Sequence, residues 1–302
     1  MASTLPTARL QTIRGVARGA LVTLIFLIGI LVVWEGAKLL GGDPWRFHDA
    51  AGRETVYYPP FAWPIASDLS LPHIWKIVDA LAGPVQRQQE QTLGSYLVGA
   101  ALYTGREAVL GFLAGAVLGL ALAAVFVHSK LAERAFMPYV VASQTIPILA
   151  LAPLIAFAFG NGVLGIVMVA TYLTFFPVTV AQLRGLTSPD PRALELMQSC
   201  AASRWTIFWK LRLPASLPYL FSALKIAATA SIVGAIVGEG NPGGSQFGLG
   251  RSILNFNEQY ASGPEKLWAA ILASGLLGLV FYLAIRITEV VTLRGRPDST
   301  AG

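Results

Sequence analysis

Two long apolar runs flank the segment ELMQSCAASRWTIFWKLRLP, residues 195–214. The segment itself carries one acidic residue, Glu195, and three basic residues, Arg204, Lys210 and Arg212. A helix needs about 20 consecutive apolar residues to cross the hydrocarbon core of a bilayer, and this segment is too short and too charged to do so. It therefore connects two membrane spans, and its basic, amphipathic character calls for a separate explanation.

The composition of the whole chain is that of a membrane protein. Of its 302 residues 55% are hydrophobic and 13% are charged, with a mean hydropathy of +0.61, whereas a soluble domain has about 25% charged residues. The net charge of +6 lies at the ends of apolar runs rather than in one aromatic-rich surface, which indicates orientation in a membrane and not nucleic-acid binding. The single cysteine, Cys200, excludes an intrachain disulfide and a cysteine-cluster metal site, and we interpret it as apolar filling in a helix.

Six runs are long enough to cross a bilayer, which predicts an all-α membrane protein with six transmembrane helices. The spans are expected at about 19–40, 108–127, 138–159, 163–183, 217–237 and 267–287. A signal peptide is the alternative for the first run, but the run is longer than a typical signal sequence and no cleavage site follows it cleanly. Gly160 and Gly162 mark a tight turn, so the third and fourth spans should be antiparallel neighbours.

The arginine and lysine residues of the short loops orient the chain, because such residues collect on the cytoplasmic side. With the N-terminus inside, the cytoplasmic side receives Arg9, Arg14, Arg18, Lys130, Arg134, Arg184, Arg192, Arg204, Lys210, Arg212, Arg294 and Arg296. Six spans then place the tails 1–18 and 294–302 in the cytoplasm, at the two ends of a permease domain 19–293. Segment 190–214 is cytoplasmic as well, and the long segment 41–105 is external.

The external segment divides into two parts. Residues 45–64 are rich in proline and aromatic residues and have no helical period, which predicts an extended cap or interfacial loop with its Trp and Tyr rings near the headgroups. In residues 71–81, LPHIWKIVDAL, apolar residues from Ile74 to Leu81 recur at the i, i+3, i+4, i+7 spacing of an amphipathic helix. This helix either lies on a surface with no role in chemistry or contacts a ligand.

The segment between the fourth and fifth spans predicts two short helices. Asp190 is placed to cap the first helix and Pro191 to occupy its first position, while Ser203 is placed to cap a second. The bend should lie near Ala201-Ala202. One apolar stripe runs through both helices, formed by Leu194, Met197, Ala201, Trp205, Phe208 and Leu211. Such an element is a membrane-surface helix, a simple connector or a docking element for a soluble partner.

The same segment resembles the EAA motif of ABC importer permeases. Glu195, Leu213 and Pro214 fall at the spacing of that motif, and Leu211 takes the place of its isoleucine. Two larger residues replace its alanines, and Ala201 replaces a glycine that makes a turn at lower cost. In that family the loop is the coupling helix, which sits in a cleft of the ATPase subunit. The resemblance thus implies a coupling role for Glu195, Ala201, Arg204, Trp205, Phe208, Leu211, Leu213 and Pro214.

The resemblance covers about residues 71–293 and implies a fold like that of type I ABC importers. The strings QTIPILALAPLIAFAFGNG (144–162) and VGAIVGEGNPGGSQFGLG (233–250) are similar to nitrate/sulfonate/taurine-type permeases. The GAIVGE string leans toward the branch for thiamin pyrimidine precursors and riboflavin. The implied function is a permease subunit for a small organic or anionic solute of one of these kinds. Residues 41–70 have no counterpart and are interpreted as an insertion.

The chain carries no nucleotide-binding signature. The pattern G-x-x-x-x-G-K-[ST] is absent and Gly-Lys never occurs, so ATP hydrolysis is expected on a partner chain. The resemblance implies a non-catalytic subunit without a cofactor, with ATP and Mg on the ATPase and with no catalytic or metal residues here. The implied partners are a second copy with the pathway at the twofold axis, two ATPase subunits, an external solute-binding protein and membrane lipid, but no nucleic acid. The implied location is the bacterial plasma membrane, which the chain crosses several times.

Polar residues inside the spans are candidates for the translocation pathway, since polar groups facing lipid are costly. They are Gln144, Thr145, Thr171, Tyr172, Ser231 and Glu239. Gln144 and Thr145 lie beside Pro147, where a broken helix frees carbonyl groups. Hydroxyl groups can instead bond the preceding helical turn, and Glu239 can instead shape an outer gate or pair with Arg251. The alternative function is a secondary transporter or channel not driven by ATP, although no inverted repeat is evident.

Overall fold

The computed structural model describes residues 25–26, 28–48, 54–86, 90–160, 162–241 and 244–293. Contacts divide the chain into two compact units, one with the residues up to Ala80 and Gln259–Glu265, the other with Leu81–Glu258 and the residues from Lys266 onward. The elements are α1 (28–41), β1 (Trp45–His48), β2 (Glu54–Tyr57), α2 (Ile74–Ala82), α3 (Leu93–His128), α4 (Lys130–Ser143), α5 (Ile148–Phe159), α6 (Val163–Leu186), α7 (Pro191–Ser199), α8 (Arg204–Ile207), α9 (Leu213–Gly240), α10 (Leu249–Glu258) and α11 (Pro264–Leu293).

Within the described residues, four helices are long and apolar enough to cross a membrane. They are α3, α6, the continuous helix Arg204–Gly240 that contains α8 and α9, and α11. The pair α4 and α5 passes the same test together, which gives five spans if the pair is counted as one. The predicted first span, 19–40, lies partly outside the described residues, so the predicted number of six is neither reached nor contradicted.

The second predicted span is part of a longer helix. α3 begins at Leu93 rather than at Ala108, and the side chain of Thr92 caps its N-terminus. The buried face of the helix extends back through Leu97, upstream of the apolar run. Residues 93–105, which the sequence assigned to an external segment, are therefore helical, because tertiary packing of one face rather than hydropathy determines where this helix starts.

The third predicted span is broken at the position that the sequence indicated. α4 starts at Lys130, runs through Pro138 to Ser143, and is followed by α5 after a bend of 105°. Pro147 immediately precedes α5. Proline has no N–H to donate and disfavours the helical conformation of the residue before it, so the helix ends there.

α6 lies between α3 and α9 and packs closely against both. A Cβ atom added to Gly111 of α3 would lie 2.3 Å from the Cβ atom of Ala170, and one added to Gly115 would lie 2.5 Å from that of Thr174. On the other side, a Cβ atom at Gly234 of α9 would lie 2.7 Å from the Cα atom of Ala170. Small residues at these positions let the helix backbones approach, as they do between helices in membranes.

The first unit contains a small sheet that the sequence did not predict. β1 pairs antiparallel with β2, and Trp45 lies opposite Tyr57. Trp45 also packs edge-on against the rings of His73 and Trp75, with ring centroids 4.7 and 5.6 Å away. The extended conformation was predicted for this stretch, but the strand pairing has no signature in its irregular mixture of proline and aromatic residues.

A fully buried lysine holds the rest of the first unit to α1. The Lys38 ammonium donates to the Asp68 carboxylate at 2.6 Å and to the carbonyl oxygens of Ala66 and Leu71 at 3.3 and 2.6 Å. Asp68 also accepts a hydrogen bond from Lys76. We call these five residues together with Glu35 and His73 the Lys38 cluster. A buried charge is tolerated when it is paired and hydrogen-bonded, and here all three donors of the ammonium group are used.

Two ionisable groups of the Lys38 cluster have shifted pKa values. Burial lowers the pKa of His73. The 2.8 Å contact with the Glu35 carboxylate raises this pKa, but by less, so the pKa stays below its ordinary value. Burial alone would raise the pKa of Asp68, but hydrogen bonds from Lys38 and Lys76 outweigh burial and lower this pKa. His73 is therefore held neutral and Asp68 is held charged, and protonation of either group opposes the folded cluster.

We expect acid to loosen the Lys38 cluster in two steps. The stability that His73 contributes is present above its ordinary pKa of 6.5 and is lost as the pH falls from that value toward the lower folded-state pKa. The contribution of Asp68 is present above its ordinary pKa of 3.8 and is lost at still lower pH, through its depressed folded-state pKa. Hydrogen-exchange protection factors of residues 54–80, measured from neutral to acidic pH, would record both steps.

Two variants test which residue causes the first of these steps. His73→Gln should remove the first step, because the side chain no longer titrates. Asp79→Asn is the matched control, since Asp79 is exposed on α2 and lies outside the cluster, and it should leave both steps in place. Protection that does not change with pH in the wild-type chain would contradict the assignment.

Candidate functional site

The first candidate site begins with α7, which has the N-terminus that the sequence predicted. The Asp190 side chain accepts a hydrogen bond of 2.8 Å from the backbone N–H of Arg192, and Pro191 occupies the first turn. None of the α7 residues is buried within this chain. The helix is thus formed by local capping, and its side chains are available to a partner.

Ala201 makes the turn after α7 in a conformation that is unfavourable for alanine. Its φ of 54° makes it the only residue other than glycine with a positive φ among those that the structure describes. An L-residue in this left-handed region costs roughly 1–2 kcal/mol because its Cβ atom approaches the following carbonyl oxygen. Ser203 then caps α8, accepting a hydrogen bond from the backbone N–H of Thr206 at 3.1 Å. The predicted pair of helices with a bend near Ala201 is confirmed.

The second half of the segment is anchored in the core of the protein. α8 continues through a wider π-helical turn, Phe208–Arg212, directly into α9. Phe208 is buried against Phe126, Val140 and Leu186, so it is a core residue of this chain. The sequence placed Phe208 on the face that meets a partner, and the structure corrects this expectation. Because α9 follows without a break, Phe208 faces inward. The partly buried Leu213 packs against the same cluster.

Large apolar side chains remain exposed along this segment. Leu196 is 66% exposed, Trp205 63% and Trp209 51%. Trp205 stacks on Phe208 with ring centroids 5.8 Å apart, so the exposed ring is supported from below by a core residue. Leu196 stands where the sequence departs from the alanine of the EAA motif. The charged residue Glu195, beside it, is also exposed.

A pocket of about 250 Å³ separates α7 from the end of α3. It is lined by Val127, His128, Leu194, Gln198, Arg204, Ile207 and Arg212. α7 is therefore not tightly packed on the helices behind it and is held mainly through the turn at Ala201 and through α8. Of the remaining predicted coupling residues, Arg204 is exposed, while Leu211 is half-buried.

The break between α4 and α5 brings together three of the predicted pathway residues. Gln144 and Thr145 lie in the bend and are exposed. The Tyr172 hydroxyl of α6 donates to the carbonyl oxygen of Ser143, the last residue of α4. The Thr145 hydroxyl donates to the Ala142 carbonyl at 2.8 Å. Side chains thus use some of the carbonyl groups that the break frees, and the Gln144 amide remains at the surface.

Two other predicted pathway residues are used in helix packing. Thr171 and Ser231 are buried, and their hydroxyl groups donate to carbonyl oxygens of their own helices, Val167 at 2.8 Å and Ala228 at 2.9 Å. This is the alternative that the sequence left open for hydroxyl groups in membrane helices. In the described arrangement neither hydroxyl faces an open space.

Glu239 is fully buried where α9 ends and is bonded to two other elements. Its carboxylate accepts from the Thr104 hydroxyl of α3 and from the backbone N–H of Gly250 of α10, both at 2.6 Å. In the part of the chain that the structure describes, no ion pair joins Glu239 to Arg251, so that alternative is not realised. Glu239 ties three helices together.

Glu107 is the residue that sequence reasoning missed. It is 1% exposed within α3 and interacts with Glu239, yet neither of its carboxylate oxygens has a hydrogen bond of normal geometry. It was overlooked because the predicted span started one residue later, at Ala108. The earlier start of α3 reveals the position of Glu107, because the buried face that includes Leu97 places Glu107 inside a helix.

Comparison with known proteins finds transport permease components. Residues 115–289, more than half of the chain, match the family described as binding-protein-dependent transport system inner membrane component. The chain is 36% identical over 187 residues to the formylaminopyrimidine transport permease protein ThiX of Halalkalibacterium halodurans, covering 62% of this chain and 73% of that protein. It is 30% identical over 167 residues to the riboflavin transport system permease protein RibX of Chloroflexus aurantiacus, covering 55% and 61%.

A solved structure supports the fold. The crystal structure of an amino acid ABC transporter with histidines matches with a TM-score of 0.54, covering 65% of this chain and 94% of that chain. The sequence identity is 16%, so this likeness concerns the fold alone.

The turn at Ala201 yields a mutational prediction. Ala201→Gly should stabilise the junction of α7 and α8 by about 1 kcal/mol, because glycine adopts a positive φ without the Cβ penalty. Amide hydrogen exchange across residues 191–207 would record the gain as slower local opening. Ala202→Gly is the matched control: Ala202 has no positive φ, so there glycine should speed local opening by increasing the entropy of the open state. Equal effects of the two substitutions would contradict the assignment of strain to Ala201.

Proposed function

Since this chain belongs to the family of binding-protein-dependent transport system inner membrane components, we propose that residues 190–214 are the element through which a separate ATPase subunit drives it. The chain is the transmembrane permease subunit of an ABC importer and is non-catalytic, with ATP hydrolysis on another chain. ATP and Mg accordingly belong to that ATPase, and this chain needs no cofactor of its own.

The observation that carries the docking proposal is the exposure of large apolar side chains on a charged segment. Leu196 and Trp205 are more than half exposed, although Phe208, on which Trp205 stacks, anchors the segment to the core. Protein interfaces typically depend on a few such apolar anchors surrounded by polar residues. Glu195 supplies a charge beside these anchors and makes no ion pair in the described part of the chain. A groove on the ATPase that takes a short helix fits this arrangement.

The broken span supports a pathway between two copies of the chain. α5 has 12 residues and presents strongly exposed apolar residues such as Phe157, which is 88% exposed. The bend before α5 exposes Gln144 and Thr145, and irregular backbone at membrane depth is tolerated only inside protein or along a water-filled cavity. A second copy that covers this face would shield the bend from lipid. We therefore assign Gln144, Thr145 and Tyr172 to the pathway, at the axis of a homodimer.

The sidedness follows from the distribution of basic residues. Both chain termini and segment 190–214 are assigned to the cytoplasm of a bacterium, because the short loops on that side carry most of the arginine and lysine residues. The solute-binding protein then delivers its ligand from the opposite side of the plasma membrane. Segment 41–105, with its small sheet, is assigned to that external side.

The proposed solute is a heteroaromatic vitamin or vitamin precursor. Both relatives described above are named for such compounds, a formylaminopyrimidine and riboflavin. The GAIVGE string at the end of α9 points to the same branch of permeases. A sulfonate, nitrate or taurine is the second candidate class for this type of permease.

The docking proposal predicts which substitutions uncouple the permease. Leu196→Ala and Trp205→Ala should each weaken binding of the ATPase subunit by about thirtyfold, since truncating an interface anchor costs about 2 kcal/mol. Glu195→Lys should also weaken binding, because it reverses an exposed charge that forms no ion pair with any described residue. The measurement is the affinity of the ATPase subunit for the permease purified in lipid nanodiscs.

The control for these variants is Leu102→Ala, which truncates a leucine of α3 that is 72% exposed and lies outside the segment. It should leave ATPase affinity unchanged. Gel-filtration profiles of all variants report whether the permease itself remains folded. Wild-type affinity in Leu196→Ala, Trp205→Ala and Glu195→Lys together would rule out docking through this segment.

The proposed solute class is tested by transport. The permease reconstituted in vesicles with its ATPase and solute-binding protein should accumulate a labelled formylaminopyrimidine when ATP is supplied, and excess unlabelled taurine should not compete. The ligand that the binding protein retains on purification, identified by mass spectrometry, gives an independent answer. Retention and transport of an aliphatic sulfonate or of nitrate would replace the proposed class by the second one.

A further inference from the structure

We propose that Glu107 and Glu239 hold one proton between them, and that this proton keeps the N-terminus of α10 joined to α3 and α9. The two carboxyl groups come from different helices and are 1% and 0% exposed. They lie close enough to interact. The proton site is separate from the docking segment and does not depend on the identity of the solute.

The hydrogen bonds around the pair are unequal. Glu239 accepts from the Thr104 hydroxyl at one oxygen and from the backbone N–H of Gly250 at the other, each at 2.6 Å. The neighbouring N–H of Leu249 donates to the Thr104 hydroxyl oxygen at 2.8 Å. Glu239 thus lies as an anion at the N-terminus of α10, where backbone N–H groups and the helix dipole favour a negative charge.

Glu107 lacks equivalent donors. Neither of its oxygens has a hydrogen bond of normal geometry, and an unpaired carboxylate out of contact with water is among the most costly groups to bury. Its neighbour Glu239 offers only acceptor oxygens when it is ionised. Two carboxyl groups can form a hydrogen bond only if one of them carries a proton. A proton on Glu107, donated to Glu239, satisfies both groups and removes one of two like charges.

The other ionisable groups near the pair do not replace this proton. Tyr103 and Arg106 of α3 are the further groups that interact with Glu107. The Arg106 side chain is exposed, and the Tyr103 hydroxyl, which accepts a hydrogen bond from Ser245 at 3.1 Å, has one proton to donate and carries no positive charge. From α10, the contacts with the pair and with Thr104 are backbone N–H groups. Among the described residues, no lysine or arginine, including Arg251 of α10, forms an ion pair with either carboxyl group.

The site is shaped for a proton rather than for a larger ligand. Among the described residues, no group of three histidine, cysteine, aspartate or glutamate side chains could hold a metal ion. A Cβ atom added to Gly248 would lie 2.3 Å from Oε1 of Glu239, and one added to Gly250 would lie 2.9 Å from its Cβ atom. The two glycines thus close the loop onto the carboxylate and leave no room for a solute.

The proton has a consequence for the first turn of α10. Thr104 accepts from Leu249, Glu239 accepts from Gly250 and Tyr103 accepts from Ser245, so all three hold residues of the segment that follows α9. Removal of the proton at alkaline pH would leave two adjacent buried anions, and their repulsion would act between α3 and α9 where Leu249 and Gly250 are attached. Loss of the proton would therefore weaken the attachment of the first turn of α10 to α3 and α9.

The proton can be observed directly. Infrared difference spectra of the purified permease in nanodiscs, recorded from mildly acidic to alkaline pH, should show the carbonyl stretch of a protonated carboxylic acid that disappears at alkaline pH. Glu107→Gln should abolish this band. Glu258→Gln should retain it and serves as the control, because Glu258 is an exposed glutamate of α10 outside the pair. Retention of the band in Glu107→Gln, or its absence from the wild-type chain, would overturn the proposal.

Stability gives a second measurement that does not depend on the infrared assignment. The melting temperature of the wild-type permease should fall by several degrees toward alkaline pH, and Glu107→Gln, which mimics the protonated acid, should remove most of that fall. Glu239→Gln should be less stable than Glu107→Gln at every pH, because a glutamine NH₂ group would face the N–H of Gly250 or the hydroxyl of Thr104. Equal destabilisation by both substitutions, or an unchanged pH profile in Glu107→Gln, would contradict a proton on Glu107.

Discussion

The close approach of three helix backbones is the constraint on which the second unit depends. Helices in lipid gain little from burying apolar surface against each other, because the lipid tails are equally apolar. They associate when their backbones come close enough for dense packing. Gly111 and Gly115 of α3 and Gly234 of α9 provide this closeness on the two sides of α6. With a side chain at any of these positions, α6 could not remain between its neighbours.

The buried polar contacts lie where this packing brings the helices together. Gln182 of α6 donates to the Ser216 hydroxyl of α9 at 2.8 Å. At the opposite end of α9, Glu239 joins α3 and α10. Between these two sites, Lys225 forms a 2.8 Å ion pair with Glu289 of α11. Polar groups such as these specify register, because a helix that shifts by one residue loses its partner without gaining water in exchange. The glycines bring the helices close, and the polar pairs determine their alignment.

The sequence predicted the features that depend on local chemistry. The length of the apolar runs predicted α6, α9 and α11. The capping residues Asp190 and Ser203 predicted where α7 and α8 begin, since each acts on backbone groups within a few residues. Features that depend on distant contacts were missed. The early start of α3, the burial of Glu107 and the inward position of Phe208 are all decided by helices far away in sequence. An amphipathic stripe cannot distinguish a residue that faces the core from one that faces a partner.

The π-helical turn at Phe208–Arg212 gives the junction between α8 and α9 a property of its own. Such a turn contains one residue more than an α-helical turn, and each residue of an α-helix rotates the chain by about 100°. The direction in which Trp205 and α7 point, viewed down α9, is thus determined by a single residue of helical register. A length change of one residue would redirect α7 and α8 together while leaving the membrane helices as they are. In evolution, the orientation of this segment can therefore change in discrete steps, independently of the part of the chain that lies in lipid.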